Sequence, residues 1–215
     1  MITPERSYLL RTLQQDSFSY FVHKTNPANG LVLDKTRADW PASIAAVGLA
    51  LAAYPVGVEL GFLMRADAVQ RTLTTLRFFA NAPHGPEADA TGYKGFYYHF
   101  LDMKSGRRAW RSELSSVDSA FLLACMLAAA AYFQRQTAEE AEIRRLADAL
   151  YRKADWQWMQ NGAAAVSHGW TTENSFLRYR WNGYDEALIV YLLGLGSPTH
   201  PLSKVSYRAW SSTSR

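Results

Sequence analysis

The sequence has one cysteine in 215 residues, Cys125, so an internal disulfide is excluded, and its place in an apolar run marks it as a small core residue. A single cysteine leaves the compartment open, because disulfide-free proteins occur in periplasm and cytoplasm alike. The apolar run 121–133 is too short to cross a bilayer and reads as a buried helix, so no membrane span is expected. The opening residues Met1-Ile-Thr-Pro-Glu-Arg lack the basic, apolar and small-residue order of a secretory signal. There is no Gly-x-x-x-x-Gly-Lys phosphate loop, no dinucleotide glycine fingerprint and no Gly-x-Ser-x-Gly elbow, so no cofactor is expected. His168 has no Cys or second His at ligand spacing, which favours a structural histidine over a metal ligand, and no metal is expected. The net charge of +4 comes mostly from scattered arginines. The denser cluster at 104–111, with Trp110 among its basic residues, fits solvated loop charge better than a nucleic-acid interface.

What is present is an ordinary globular composition, 48% hydrophobic and 20% charged, in a length that one domain can hold. Hydrophobic periodicity predicts an all-α chain of six helices at 4–23, 41–54, 65–81, 115–135, 138–160 and 184–195. Thr3 and Pro4 give the first a cap and a favoured first position, and Thr137-Ala-Glu-Glu reads as a capping box for the fifth. Gly196-Ser-Pro stops the sixth. In the third inter-helix loop, the aromatic stretch 95–102 is expected to form a short β-hairpin with 107–111. Helices one, three and five carry charge on one face, whereas two, four and six are apolar nearly all round. Wet outer helices alternating with covered inner ones is the pattern of an α/α toroid.

The links alternate too: those after helices two and four are short, and those after one, three and five are long. In an up-down array the three long loops emerge at one rim, where function usually sits. The first holds Asp34, Arg37, Asp39 and Trp40. The second ends in Trp110-Arg-Ser-Glu113-Leu-Ser-Ser-Val-Asp118. The third holds His168-Gly-Trp170-Thr-Thr-Glu173 and Arg180-Trp181-Asn-Gly-Tyr184-Asp185-Glu186. Glycoside hydrolysis needs two carboxyl groups flanking one bond, and aromatic rings nearby can stack on a sugar face. Each residue has a plainer alternative. Asp118 lies three residues after Ser115 and can complete a helix cap, and Asp185 and Glu186 open a helix where the dipole favours negative charge. Glu113 can pair with Arg111, and Trp110, Trp170 and Trp181 can anchor loops.

These same stretches resemble the bacterial glycoamylase-like family, which includes endo-β-1,2-glucanases and a domain of cyclic β-1,2-glucan synthases. The resemblance lies in Gly30-Leu-Val-Leu-Asp-Lys, Trp110-Arg-Ser-Glu-Leu-Ser-Ser-Val-Asp-Ser-Ala and Ser167-His-Gly-Trp. It is most specific in Trp181-Asn-Gly-Tyr-Asp-Glu-Ala and the trailing Leu195-Gly-Ser-Pro-Thr-His-Pro. It implies an α/α toroid with an acidic glucan cleft, a periplasmic or exported location, and a glycoside hydrolase or transglycosylase acting on β-linked glucan. Glu113, Asp118 and Glu186 match acidic cleft positions, with Asp34, Arg37, Trp110, Trp170, Glu173, Trp181 and Tyr184 the candidate sugar contacts. Family members run further, so residues 1–215 are expected to form about the N-terminal half of the ring. That leaves a fragment, a partner supplying the rest, or self-association through exposed inner-helix flanks. The alternatives to catalysis are a truncated, carbohydrate-binding remnant and a helical scaffold for another protein.

Overall fold

Thr3 starts the chain's first helix: its hydroxyl accepts from the Arg6 N–H at 3.3 Å, and Pro4 follows where a missing N–H breaks no helical bond. The structure is a computed structural model and describes residues 3–212. Helix α1 (Pro4–His23) is followed by β1 (Ala42–Ser43), α2 (Ile44–Glu59) and α3 (Arg65–Asn81). Four short strands come next, β2 (Gly92–Tyr93), β3 (Phe96–Tyr98), β4 (Phe100–Leu101) and β5 (Leu114–Ser115). Helices α4 (Ser116–Tyr132), α5 (Ala138–Arg152) and α6 (Trp156–Gln160) lead to β6 (Gly169–Thr171) and β7 (Ser175–Phe176). The described chain closes with α7 (Leu188–Gly196) and α8 (Lys204–Ser211).

The two most apolar long helices form the centre. α2 packs most extensively on α4, which also meets α5 and α7. Gly48 marks the close approach: a Cβ there would lie 2.9 Å from the Cα of Leu122, so only glycine lets the two backbones come this near. Outside them α3 packs on α5, tied by Arg65, whose guanidinium forks onto Glu140 at 2.8 and 2.9 Å, and by Arg77 on Glu142. Glu140 also accepts from the Arg135 N–H at 2.7 Å. The capping box expected at Thr137 is therefore half realised. The Thr137 hydroxyl accepts from the Glu140 N–H, while the Glu140 carboxylate turns to arginine. α1 meets the rest through Phe18 and Phe21, leaving Leu9 and Leu13 exposed beside an apolar groove lined by Phe18, Ala53, Val56 and Phe62. No described helix is long and apolar enough to cross a membrane.

The long loops are joined by strand pairing. β1 pairs antiparallel with β4, Ala42 opposite Leu101, which ties the first long loop to the second. The other strands form an antiparallel sheet in the order β2-β3-β5-β6-β7, and Leu114 opposite Trp170 ties the second loop to the third. The common rim expected of these loops is thus one hydrogen-bonded layer beside the start of α4.

This layer corrects the all-α expectation: the fold is helix-rich with two small sheets, more strand than one hairpin. The expected hairpin is real only at its tip, where the Asp102 and Ala109 N–H groups donate to Arg107 and Phe100 carbonyls. Phe96–Tyr98 instead lies between β2 and β5. Strands of two or three residues carry too little alternation to announce partners far away in sequence. The fifth helix breaks at 153–155, where Asp155 turns its side chain to cap α6 by accepting from the Trp158 N–H at 2.9 Å. Ala42–Ser43 belong to the strand layer rather than to α2, and α4 stops at Tyr132. The sixth expected helix begins at Leu188 rather than 184, because the Asp185 carboxylate accepts from the Ala187 N–H and the Trp210 indole. α8, which the sequence reading did not include, buries Trp210 against Tyr191.

Candidate active site

Where β5 gives way to α4, the chain delivers Glu113, Ser115 and Asp118 in quick succession to an open cleft of about 270 Å³. His99 joins them from the link between β3 and β4, His168 from the start of β6, and Trp181 and Glu186 from the loop before α7. The backbone fixes these positions. The His99 N–H donates to the Glu113 carbonyl at 2.9 Å, and the Ser116 N–H donates to the His168 carbonyl at 3.1 Å. Gly169 lets β6 lie this close to β5, because a Cβ there would stand 2.2 Å from the Leu114 carbonyl and 3.1 Å from the Glu113 Cγ.

One wall is acidic. His99 Nδ1 lies 3.1 Å from Glu113 Oε1 and 3.7 Å from Asp118 Oδ2. The Ser115 hydroxyl donates to Asp118 Oδ2 at 2.5 Å and accepts from the Asp118 N–H. Asp118 thus belongs to the helix cap and to the cleft at once. Burial works to raise the Glu113 pKa, but the His99 hydrogen bond and the nearby charges of His99 and Arg108 bring it below the ordinary carboxylate value. Burial works to lower that of His99, but Glu113, Asp118 and the charge of Asp34 lift it above the ordinary imidazole value. The second wall is aromatic. Trp181 stacks on His168 with ring centres 3.8 Å apart, and its indole N–H donates to the Ser116 hydroxyl at 2.9 Å. Burial holds the His168 pKa below the usual value, partly offset by the acids Asp185, Glu186 and Glu113.

Among the described residues, His99, Glu113 and Asp118 could offer a metal ion three ligand atoms within 4.8 Å of one another. The His99–Glu113 hydrogen bond and the His99–Asp118 ion pair account for that closeness without an ion.

The structure brings Glu113, Asp118, Glu186 and Trp181 of the expected residues into this cleft. Asp34 lies near enough for its charge to act on His99, and its carboxylate accepts from the Trp40 indole at 3.1 Å. Arg37 lies over the Trp40 ring. Trp110 is 56% exposed and stands edge-on to Trp40 at 4.6 Å, lining a neighbouring cleft of about 400 Å³ with Asp39 and Lys104. The other three sit elsewhere. Trp170 packs between Tyr93 and Trp158, Tyr184 stacks on Trp210, and Glu173 is clamped by Arg108 at 2.8 and 3.0 Å. That clamp holds the Glu173 pKa down to about 2. The pairing of Glu113 with Arg111 is replaced by the pairing with His99. His99 had no sequence signal beyond its place in an aromatic stretch, because its partners come from β5 and α4.

A family model described as "Putative glucoamylase", glycoamylase, matches residues 178–215. An exo β-1,2-glucooligosaccharide sophorohydrolase (non-reducing end) of Parabacteroides distasonis is 26% identical over 95% of this chain and 29% of its own length. A solved structure described as a putative glucoamylase from Bacteroides uniformis matches with TM-score 0.84 and 29% identity, over 95% of this chain and 50% of the other. A β-1,2-glucanase from Parabacteroides distasonis matches with TM-score 0.86 and 24% identity, over 99% of this chain and 30% of the other, a likeness of fold. The resemblance to glycoamylase-like proteins is thus present in sequence and in fold, and the chain spans half or less of these relatives' length.

Proposed function

We propose that this chain supplies the acidic wall of a glycoside hydrolase or transglycosylase acting on β-linked glucan, with β-1,2-glucan the foremost candidate. The observation that carries the reading is the convergence of Glu113, Asp118 and Glu186, from two different long loops and a helix start, on one open cleft with an aromatic second wall. Acids gathered across more than 70 positions of sequence answer the chemical need for one carboxyl group to protonate a leaving oxygen and another to activate water or attack carbon. Trp181 offers a face for a sugar ring. The resemblance to a sophorohydrolase points to the linkage. By the same resemblance the helices are read as part of an α/α toroid, and the protein as periplasmic or exported.

The test is incubation of the purified chain with linear β-1,2-glucan, following new reducing ends, beside the Glu113→Gln and Glu186→Gln variants. Cleavage abolished in both variants supports the reading, and full activity in both removes these acids from the mechanism. A second reading, glucan binding without turnover, is favoured by the exposed aromatic faces of Trp110 and Tyr184 outside the cleft. Calorimetry with the same glucan separates the two, since binding that survives both substitutions without any cleavage selects the second.

A further inference from the structure

His99 is fixed at the cleft wall through both its backbone and its ring. Its N–H donates to the Glu113 carbonyl at 2.9 Å, its carbonyl accepts from the Ile44 N–H at 3.2 Å, and its ring lies flat on Phe100 with centres 4.0 Å apart. These contacts set the ring so that Nδ1 lies between two carboxylates, 3.1 Å from one and 3.7 Å from the other. The farther carboxylate is itself fixed by the Ser115 hydroxyl.

We propose that His99 is a positioning residue of this site, a shared cation that holds the Glu113 and Asp118 carboxylates at a set spacing on one wall of the cleft. The proposal rests on the glycosidase reading above. Two carboxylates this close repel, and without a counter-charge one of them takes up a proton and the two act as a single acid. An imidazolium between them removes that tendency. The Glu113 carboxylate is then kept ionised and aligned beside Asp118.

The charges around His99 run the same way. Asp34 reaches it from the loop before α2, Glu113 from beside β5 and Asp118 from α4. Arg108 acts on Glu113, while His168 and Glu186 complete the lining from β6 and from the loop before α7. Among the described residues His99 faces three acids and pairs with no arginine, so its proton is retained by its neighbours. The contrast with His84 is direct. That ring accepts from the Gly95 N–H at 2.8 Å, and desolvation together with the nearby charge of Lys153 pushes its pKa down to about 4.

Two measurements on the full 215-residue chain test this. The first is an NMR titration of the histidine ring protons in the wild type and in Glu113→Gln and Asp118→Asn. The His99 midpoint is expected to lie above those of His84 and His168 and to fall by ~1 pH unit in Glu113→Gln, less in Asp118→Asn. A midpoint that neither substitution moves overturns the proposal, and this readout needs no activity. The second compares His99→Ala and His99→Asn on β-1,2-glucan across the acid range. His99→Ala is expected to lower kcat by ~100-fold with KM little changed, and to move the acid limb of kcat/KM to higher pH as Glu113 loses its counter-charge. His99→Asn, which keeps a donor but no charge, should recover part of kcat and leave the limb displaced. A rate loss with an unmoved limb would make His99 merely structural and overturn the proposal. If the wild type cleaves no glucan, the glycosidase reading fails while the titration still decides whether His99 holds the two carboxylates.

Discussion

Two regions of this molecule hold carboxylates against cations, and they do it with different chemistry. On the outer helix pair, Glu140 is all but buried, 3% exposed, and receives both prongs of the Arg65 guanidinium plus a backbone N–H. In the cleft, Glu113 is about a third exposed and shares one imidazole nitrogen with Asp118. A guanidinium never gives up its charge near neutral pH and its fork saturates a carboxylate. An imidazole titrates within the physiological range and leaves oxygen lone pairs free for a ligand. Arginine therefore fastens one helix to another in the first region. In the second, histidine aligns acids while leaving them open to solvent and substrate. Glu173, clamped by Arg108, follows the first pattern although it stands on the same rim as the cleft.

The comparison breaks most sharply under substitution of its members. Glu113→Gln and Glu186→Gln are expected to lose about 10²–10⁴-fold in cleavage of β-1,2-glucan while thermal unfolding stays near the wild-type midpoint. Glu140→Ala should do the reverse, leaving the cleft intact but costing about 3–5 kcal/mol, because Arg65 and the Arg135 N–H lose a buried partner. Denaturant titration measures it, and a loss below ~1 kcal/mol would show that the helix pair does not depend on this contact. Gly169→Ala joins the two regions' concerns. Its Cβ would meet the Leu114 carbonyl, so β6 must move away from β5 at a cost of about 1–3 kcal/mol and with a loss of activity larger than the stability loss explains.

The smallest expected effect sharpens the contrast through pH. Glu140 and Glu173 have pKa values held below the ordinary carboxylate range, chiefly by their arginine hydrogen bonds. Their stabilisation is therefore present above the unfolded value of about 4.3 and is lost as pH falls through the folded one, about 2 for Glu173. Stability measured from pH 5 down to 2 should decline less steeply in Glu173→Gln than in the wild type. His99 carries the opposite sign. Its pKa is raised, so its contribution is complete below the unfolded value of about 6.5 and disappears as pH rises through the folded one. His99→Asn should therefore flatten the alkaline side of the stability curve, and because Glu113 loses the partner that holds its pKa down, the acid-side decline that Glu113 contributes should shrink as well.

Much of the helical frame could be read directly. α1 and α3 have the bounds that capping and periodicity predict, because Thr3-Pro4 and the polar faces of residues 65–81 are local signals. The apolar character of α2 and α4 was legible for the same reason, and both send many side chains into the core, although Leu49 and Val56 of α2 stay exposed. The strand layer was not, since its pairs Leu114–Trp170 and Tyr97–Ser115 join residues whose own neighbours give no hint of a partner. The cleft was legible by residue type and illegible by contact. Glu113 next to Arg111 suggested one partner, and the fold supplied His99 instead. Glu173 and Trp181 are equally plausible as letters in a loop, yet one is locked to Arg108 and the other forms a cleft wall.

By itself the sequence determined the bounds of α1 and α3, which helices are apolar, and that acids and aromatic rings crowd the long loops. Those properties depend on residues three or four positions apart, so the chain encodes them locally. Only the tertiary structure decided which acid meets a histidine, which meets an arginine, and which is left open to the cleft. Each of those pairings is set by how the strand layer brings distant loops into register, and a carboxylate's chemistry follows from the cation it is given.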